Sequence, residues 1–537
     1  MTDRVSPAGL RERLSNRLQR WRTGLRPRLN DRQPVPSIPI SGGRAVPPRI
    51  AGSLLRLSLA LALGYAALAG GLMYWQFVEA QRLTADPLNP LVISAARQAP
   101  RGAIYDTNEV VLARNASGGG PERLREYPHP VAAPVVGYRS TLFGTAGLER
   151  TYDAQLTGLV SLRPGDELLR KFRDQPYNPA DLHLSLDIDL QQAAADALGE
   201  QHGAVVAIEP GTGRVLALVS SPTYNPNRLV DRQAGRRYMG TLRERQDSPL
   251  LNRATQGLYV PGSVFKIVTA IAGLGSGAIT PQTTYENQPE EYETGFLVEG
   301  FRIRDFPRRV QTDHPLDFYE ATEVSSNIWF AHAGLDVGAE TLVEWAGRLG
   351  FGDRIPFELP TSPSQVTGGD GSFAGFRDRV ELANAAYGQA EVLVTPLQMV
   401  LAAATIANDG VLMRPKVVDA LRSADESVTR LDPQPWNQVL SPADTEVIGD
   451  AMQLAVEGRY GEDVAGAAKV PGIPTAGKSG TAQLGGDAAP HSWFIGYAPA
   501  DAPQIAIAII VEGGGAGAQR AVPMGGRLMG HYLGVRR

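Results

Sequence analysis

A serine and a lysine stand three residues apart in residues 259–270, which read Y-V-P-G-S-V-F-K-I-V-T-A. The Pro-Gly pair ends the preceding chain, and the apolar run after Lys266 predicts a helix that begins near Ser263. Side chains three positions apart lie on the same face of a helix, so the amine can take the proton of the serine hydroxyl. The more common explanation of such a pair is a helix cap followed by a solvated lysine.

The use of lysine in this chain favours a nucleophile with its own base. Only five of the 52 basic residues are lysine, and Lys266 is the only one with a serine three positions before it. Arginine cannot deprotonate at working pH, so a base that accepts a proton has to be lysine. Lys266 also leads into an apolar segment rather than a charged surface, unlike an ordinary solvated lysine.

Two further segments contain residues that fit the same chemistry. Residues 325–327, S-S-N, are by themselves typical of a helix cap or a helix junction. Residues 475–483, T-A-G-K-S-G-T-A-Q, fit two incompatible patterns. One is a phosphate-binding loop, because the segment from Gly472 to Ser479 satisfies G-x-x-x-x-G-K-S. The other is the tetrapeptide K-S-G-T on a strand.

The surroundings of Lys478 decide between these two patterns. A phosphate-binding loop requires a strand before it and a helix that begins at the Lys-Ser pair. Two prolines interrupt the segment before Lys478, and the residues after Ser479 show no helical period. The strand is therefore the preferred interpretation, and a nucleotide site is the minor alternative.

The three segments, in the order S-x-x-K, S-x-N and K-S-G-T, resemble the motif set of the penicillin-recognising serine acyltransferases. From about residue 97 to its C-terminus the chain is similar to the class B penicillin-binding proteins. Residues 101–106, R-G-A-I-Y-D, and 147–158, G-L-E-R-T-Y-D-A-Q-L-T-G, resemble two pedestal elements of that class. Ala390, in G-Q-A, departs from the pattern, because the class usually has a second glycine there.

The resemblance implies a serine acyl-transfer mechanism on D-Ala-D-Ala stem peptides. Ser263 is expected to attack the penultimate D-Ala carbonyl, and Lys266 as a neutral amine to accept the serine proton. Ser325 is expected to relay that proton to the leaving D-Ala nitrogen. Asn327 is expected to orient Lys266 and the substrate amide.

The K-S-G-T segment is expected to hold the substrate. The resemblance implies that Lys478 joins the catalytic group and that the terminal carboxylate binds beside it, at Ser479, Gly480 and Thr481. The oxyanion hole is expected to consist of the backbone N–H groups of Ser263 and Thr481. Preorganised donors of this kind stabilise the negative charge of a tetrahedral intermediate.

The implied reaction is the cross-linking of peptidoglycan. The acyl-enzyme is resolved by an amine of a neighbouring stem peptide, and β-lactams acylate the same serine. No cofactor is required. The implied partners are the membrane and a multi-spanning peptidoglycan glycosyltransferase of the shape-and-division family. Nucleic acid is not expected to bind. Alternatives within the fold are a D,D-carboxypeptidase or a β-lactamase, and a penicillin sensor or polymerase scaffold is the alternative without catalysis.

Composition narrows the possible chemistry. The chain has 537 residues, which is too long for one ordinary domain, so we expect two or three folded units. Its hydrophobic content of 43% is that of a globular protein that can bury a large core. It has no cysteine, so a thiolate nucleophile and a disulfide framework are excluded. The seven histidines are scattered and none forms a pair at metal-ligand spacing, so no metal site is expected.

The N-terminal region predicts a membrane anchor. Residues 1–79 contain twelve Arg and four acidic residues, and residues 57–78 carry no charge. Twenty-two uncharged residues can cross a hydrocarbon core of about 30 Å as a helix. Arg-rich sequence before the membrane-spanning segment predicts a single-pass protein in the cell membrane. Its N-terminus is expected to be cytoplasmic and its catalytic domain extracytoplasmic. A signal peptide cleaved near residues 67–69, A-L-A, is the alternative, but the basic lead is unusually long.

The chain is predicted to have four parts. They are a disordered Arg/Pro-rich cytoplasmic tail (1–53), a transmembrane helix (54–78), a small β-rich membrane-proximal pedestal (79–181) and a transpeptidase domain (182–537). Strands near both ends of the last part, with helices between them, predict an α+β fold. The resemblance implies the penicillin-binding transpeptidase fold, an antiparallel β-sheet with helices on both faces plus a helical subdomain. Class A members have a further glycosyltransferase domain, for which residues 79–181 are too few.

Overall fold

The computed structural model describes residues 48–79, 101–116, 124–158, 178–307, 313–369, 371 and 373–535. The chain divides into two compact units, residues 1–86 and 87–537. Most of the predicted tail lies outside the described residues. The helix after it begins at Pro48, six residues before the predicted start of the transmembrane segment. Proline suits the first turn of a helix, because the N–H that it lacks would have no partner there.

The first unit contains helix α1 (Pro48–Met73), which a π-helical turn (Tyr74–Val78) extends. At 1.5 Å per residue, its 26 residues span about 39 Å. Among the described residues it is the one helix that is long and apolar enough to cross a membrane, and its apolar side chains are exposed. These features make it a candidate membrane anchor.

The second unit is a mixture of short and long strands and helices. Its strands are β1 (Ile104–Tyr105), β2 (Val111–Asn115), β3 (Arg125–Glu126), β4 (Arg139–Ser140), β5 (Gly144–Thr145), β6 (Ala180–Leu184), β7 (Gly203–Ile208), β8 (Val215–Ser221), β9 (Phe296–Val298), β10 (Phe301–Ile303), β11 (Val411–Met413), β12 (Val418–Ser423), β13 (Val428–Arg430), β14 (Pro435–Gln438), β15 (Ala476–Ala482), β16 (His491–Ala498) and β17 (Ile505–Val511).

Its helices are α2 (Ala133–Val136), α3 (Leu148–Thr151), α4 (Asp153–Thr157), α5 (Ile188–Leu198), α6 (Arg232–Glu244), α7 (Arg253–Gln256), α8 (Lys266–Ser276), α9 (Gln288–Thr294), α10 (Phe318–Glu323), α11 (Asn327–Val337), α12 (Ala339–Arg348), α13 (Arg379–Ala385), α14 (Pro396–Ile406), α15 (Pro442–Glu457) and α16 (Ala521–Tyr532). Short 3₁₀ turns lie between them, and the one that concerns the site is Gly262–Phe265.

A five-stranded antiparallel sheet forms the centre of the second unit, in the order β15-β16-β17-β7-β8. Successive side chains of a strand point to opposite faces, and β17 is apolar at every position. Ile507 packs on one face with α5 and α16, and Ala508 packs on the other with α14. Helices α8 to α14 form the helical subdomain between β8 and β11. The structure confirms the predicted α+β fold with helices on both faces of an antiparallel sheet.

A second sheet, in the order β13-β12-β6-β1-β2-β3, joins the two parts predicted on either side of residues 181/182. Strand β6 contains that boundary and pairs with β1 of the pedestal and with β12 of the later segment. Hydrogen bonds between neighbouring strands therefore connect the pedestal directly to the later segment of the chain.

Local sequence signals explain several element starts. Helix α5 begins at Ile188, because Oδ1 of Asp187 accepts the N–H groups of Asp189 and Leu190. The strands predicted near both ends of residues 182–537 are present, since β7 pairs with β8 near the start and β16 pairs with β17 near the end.

A buried charge cluster stabilises the pedestal. Glu149 is fully buried, and its carboxylate lies 2.6 Å from Nε of both Arg101 and Arg125. Burial by itself would raise the pKa of Glu149, but the charges of Arg125 and Arg101 outweigh it and lower the pKa to about 2. Two elements that the sequence suggested, residues 101–106 and 147–158, therefore meet at one ionic contact.

We expect Glu149→Ala to destabilise the folded chain by about 3–5 kcal/mol, because two buried guanidinium groups lose their counter-ion. Folding lowers the pKa of Glu149 from its ordinary value of 4.5 to about 2. The stabilisation from this carboxylate is therefore fully present above pH 4.5 and is lost as the pH falls toward 2. Chemical denaturation at several pH values measures both effects. Glu126→Ala, which removes the exposed ion pair with Arg114, is the matched control and should cost less than about 1 kcal/mol.

Candidate active site

Ser263 lies in the 3₁₀ turn that leads into α8, and Lys266 is the first residue of that helix. The Ser263 side chain does not cap the helix, and Lys266 has no exposed surface. Nζ of Lys266 lies 3.0 Å from Oγ of Ser263. A helix cap with a solvated lysine therefore does not describe this pair, whereas a hydroxyl next to a buried amine does.

The contacts of Lys266 suit a neutral amine. Its Nζ lies 2.7 Å from the carbonyl oxygen of Ser325 and 2.8 Å from Oδ1 of Asn327. Both oxygens can only accept hydrogen bonds, so each requires an N–H of the amine. When the two N–H groups of a neutral amine point at these oxygens, its lone pair remains available to the hydroxyl of Ser263. The site can therefore hold Lys266 as a base.

Ser325 lies between the two buried lysines. Its Oγ is 3.2 Å from Nζ of Lys266 and 2.7 Å from Nζ of Lys478. The residue joins α10 to α11 with φ at +59°, a left-handed conformation that is costly for a residue with a side chain. Strain of this kind persists where the surrounding structure imposes it, often at active sites. Here it places one hydroxyl within reach of both amines.

Lys478 lies on β15 at the edge of the five-stranded sheet. It is fully buried, and its Nζ donates to Oγ of Ser325 and to the carbonyl oxygen of Ser479 at 3.2 Å. Burial lowers the pKa of Lys478 to about 7. The amine therefore exchanges between its neutral and charged forms near neutral pH.

The phosphate-binding alternative is wrong. Residues 476–482 form a strand, so no helix begins at Lys478 and Ser479. The backbone N–H groups of a helix N-terminus, which hold phosphate in such loops, are therefore not present there. The K-S-G-T strand is confirmed instead.

Backbone contact brings the K-S-G-T strand to the serine. Gly262 has φ at +56°, and a Cβ atom there would lie 2.6 Å from the carbonyl oxygen of Thr481. Only glycine allows this approach. Gly480 also packs closely on this turn, since a Cβ atom there would lie 3.0 Å from the carbonyl oxygen of Pro261. Oγ1 of Thr481 accepts the N–H of Gly517 at 3.1 Å, which leaves its own hydrogen to donate.

A cavity of about 670 Å³ opens beside Ser263. Its wall includes Ser325, Ser479 and Thr481, together with residues that no sequence motif suggested: Phe306, Arg459, Tyr460, Glu462 and Asp463. Four of the eight predicted site residues line this cavity: Ser263, Ser325, Ser479 and Thr481. Of the other four, Lys266 and Lys478 contact these residues from buried positions, Asn327 contacts Lys266, and Gly480 lies between Ser479 and Thr481 on β15.

Two carboxylates near the cavity were not found from the sequence. Oε1 of Glu323 accepts the N–H groups of Tyr460 at 2.7 Å and Gly461 at 3.1 Å, and so holds the cavity wall to the end of α10. Asp305, after β10, contacts the start of α11. Single acidic residues in an unpatterned stretch carry no signal of such tertiary contacts.

The model of the transpeptidase domain of penicillin-binding proteins matches residues 203–530, which is more than half of the chain. The chain belongs to the class B penicillin-binding proteins. The model of the penicillin-binding protein A dimerisation domain matches residues 101–176 of this class B protein.

Curated relatives cover the same region. This class B penicillin-binding protein is 34% identical to the peptidoglycan D,D-transpeptidase PbpA of Mycolicibacterium smegmatis, over 88% of this chain and 97% of the relative. It is 31% identical to the peptidoglycan D,D-transpeptidase MrdA of Escherichia coli, over 73% of this chain and 64% of the relative.

Solved structures match the fold. Penicillin-binding protein A of Mycobacterium tuberculosis, as its ceftriaxone acyl-enzyme, has a TM-score of 0.71 and 30% identity over 81% of this chain and 99% of that chain. The penicillin G acyl-enzyme of the same protein has a TM-score of 0.70 and 31% identity, over 81% of this chain and 100% of that chain.

Ala390, where this class B protein departs from the class pattern, adopts φ at +59°. Glycine takes this conformation without steric cost, whereas alanine does so at about 1–2 kcal/mol. The backbone at Ala390 is therefore left-handed although the residue there carries a Cβ.

Proposed function

We propose that Ser263 is the nucleophile through which this peptidoglycan D,D-transpeptidase forms its acyl-enzyme with a donor stem peptide. The single observation that carries the proposal is the 3.0 Å separation between Oγ of Ser263 and Nζ of the fully buried Lys266. The contacts of Lys266 with two oxygens that can only accept support its role as the base. β-Lactams, which acylate proteins of this class, react with the same hydroxyl.

In the proposed acylation, Oγ of Ser263 attacks the carbonyl of the penultimate D-Ala while its proton passes to Nζ of Lys266. The C–N bond then breaks, and Oγ of Ser325 relays the proton to the nitrogen of the leaving D-Ala. The position of Ser325 between Lys266 and Lys478 supports this relay. An amine of a second stem peptide then attacks the ester, which forms the cross-link and releases Ser263.

The remaining site residues orient the substrate in this proposal. The amide of Asn327 holds Lys266 and a backbone group of the substrate. The terminal carboxylate binds at Ser479, Gly480 and Thr481 beside Lys478. The backbone N–H groups of Ser263 and Thr481 form the oxyanion hole, and the close packing of Gly262 on Thr481 supports this pairing.

Acyl-peptide mapping tests the proposal. The purified full chain in detergent is labelled with penicillin G, digested with trypsin and analysed by mass spectrometry. The acyl group is expected on the peptide of residues 254–266, at Ser263. In a separate reaction, the unlabelled full chain receives donor and acceptor stem peptides together. Cross-linked dimer is expected in excess over free D-Ala. Acylation at another residue would overturn the nucleophile, and free D-Ala without dimer would indicate a carboxypeptidase.

The ionisation of Lys478 predicts a pH dependence. Because burial lowers the pKa of Lys478 to about 7, its ammonium is lost as the pH rises through that value. A carboxylate ligand favours the ammonium. We therefore expect the second-order rate constant for acylation by penicillin G to fall above pH 7, and the rate at saturating penicillin to fall less. Arginine keeps its charge throughout this range, so any acylation that remains in Lys478→Arg should not decline above pH 7. A flat or rising constant between pH 7 and 9 in the wild type would contradict the role of Lys478.

The membrane topology and partner are also proposals. Because Arg-rich sequence precedes α1, we propose a single-pass protein with residues 1–53 cytoplasmic, 54–78 membrane-spanning, 79–181 a pedestal and 182–537 an extracytoplasmic transpeptidase domain. Cleavage of a C-terminal epitope by protease added to intact spheroplasts tests the orientation. We propose a multi-spanning peptidoglycan glycosyltransferase as partner, because the parts of the chain that match family models are a transpeptidase domain and a dimerisation domain, and the glycan must also be polymerised. Co-purification with such a glycosyltransferase in detergent tests it.

A further inference from the structure

Asp305 binds the start of the helix that carries Asn327. The residue follows β10 and is half-buried. Its Oδ1 accepts the backbone N–H of Asn327 at 2.5 Å and that of Ile328 at 3.0 Å. Its Oδ2 accepts the hydroxyl of Ser326 at 2.9 Å. One carboxylate thus binds three successive residues of the S-x-N segment and α11.

Helix α11 already has a local cap, so Asp305 is not required to begin it. Oγ of Ser326 accepts the N–H of Trp329 at 3.1 Å, which is the usual N-cap contact. The first N–H groups of a helix have no partner within the helix, and a carboxylate near them is favoured by their partial positive charge. Asp305 supplies this carboxylate from a separate part of the chain. The contact therefore fixes the position and orientation of α11 relative to the segment after β10.

The neighbouring residue orients the amide of Asn327. Nδ2 of Asn327 donates to the carbonyl oxygen of Arg304 at 3.0 Å, and Oδ1 accepts from Nζ of Lys266 at 2.8 Å. Because a carbonyl oxygen can only accept, the nitrogen of the amide must face Arg304. The oxygen then faces Lys266, which is the orientation that leaves the lysine lone pair for Ser263.

We propose that Asp305 is a positioning residue for the base Lys266. Its carboxylate holds the start of α11 so that the Asn327 amide, oriented by the Arg304 carbonyl, accepts from Lys266 Nζ. In this proposal Asp305 acts on the base through Asn327. The inference rests on the proposed function, because it assigns Lys266 as the base of Ser263.

A double-mutant cycle tests the proposal. The acylation rate constant with fluorescent penicillin is measured for the full-length wild type, Asp305→Ala, Asn327→Ala and the double variant. We expect Asp305→Ala to lower the constant by about 10–100-fold, the range for loss of hydrogen bonds to a charged group. In the Asn327→Ala background the same change should have less than about a twofold effect, because Asp305 acts through the residue already removed. Asp305→Glu is expected to recover part of the rate.

The controls separate positioning from folding. Asp231→Ala removes a carboxylate that accepts the N–H groups of Gln233 and Ala234 at the start of α6, which contributes no residue to the site. It should lower the melting temperature without changing acylation. If Asp305→Ala does not fold, Asp305→Asn, which keeps the size and loses the charge, replaces it in the cycle.

Two outcomes would overturn the inference. One is a wild-type acylation rate in Asp305→Ala, and the other is an equal loss in the wild-type and Asn327→Ala backgrounds, which indicates general destabilisation. Either result leaves the proposed function intact as long as penicillin still labels Ser263. If the wild type is not labelled at Ser263, the proposed function fails before the cycle is measured.

Discussion

Ser263→Ala is expected to abolish covalent labelling by fluorescent penicillin while the chain remains folded. The change removes the hydroxyl and leaves Cβ in place, and Lys266 keeps its contacts with Ser325 and Asn327. Without the hydroxyl no ester forms, so the acylation rate should fall by at least about four orders of magnitude. Labelling on a denaturing gel measures the loss, and melting temperature and circular dichroism check the fold.

The matched control is Ser276→Ala. This exposed serine closes the same helix, α8, and its hydroxyl donates to the carbonyl of Gly273 rather than to a site residue. Its loss should leave labelling unchanged. A labelled band in Ser263→Ala of wild-type intensity would refute the assignment of the nucleophile, whatever the control shows.

The pairing of Ser263 with Lys266 could be predicted from the sequence because both residues belong to one short motif. Ser263 and Lys266 share one helix turn, so their proximity follows from helix geometry alone. The convergence of the three motifs came from the resemblance rather than from the residues, since nothing in a single chain indicates which segments pack together. The structure supplies that packing through Gly262 against Thr481 and Lys478 against Ser325.

Contacts between distant segments could not be predicted from the sequence. Strand β6 pairs with β12, more than 230 residues later, so the shared sheet across residues 181/182 had no local signal. Asp305 is one acid in R-I-R-D-F-P, and only the path of the chain after β10 brings it to α11. The pKa of Lys478 was also not predictable, because lysine on a strand is ordinarily solvated and here burial lowers its pKa to about 7.

Lys266→Arg is expected to be nearly as damaging as the loss of Ser263, although it preserves a positive charge. A guanidinium stays protonated at working pH and cannot accept the serine proton. Loss of a general base typically costs about 10²–10⁴-fold in rate. The larger planar group must also fit a fully buried position against Asn327 and the Ser325 carbonyl. We expect the acylation rate with fluorescent penicillin to fall by at least about 10³-fold.

Lys469→Arg is the matched control, because this lysine is exposed and should tolerate the residue that the chain uses at most basic positions. Its acylation rate should equal that of the wild type. If Lys266→Arg were acylated at more than about a tenth of the wild-type rate, the proton of Ser263 would have to pass to another group. Lys478, which loses its own proton near pH 7 and reaches Ser325, would then be the base to test. The two lysines are thus distinguishable, because a base at Lys478 would make the Lys266→Arg rate rise with pH through 7.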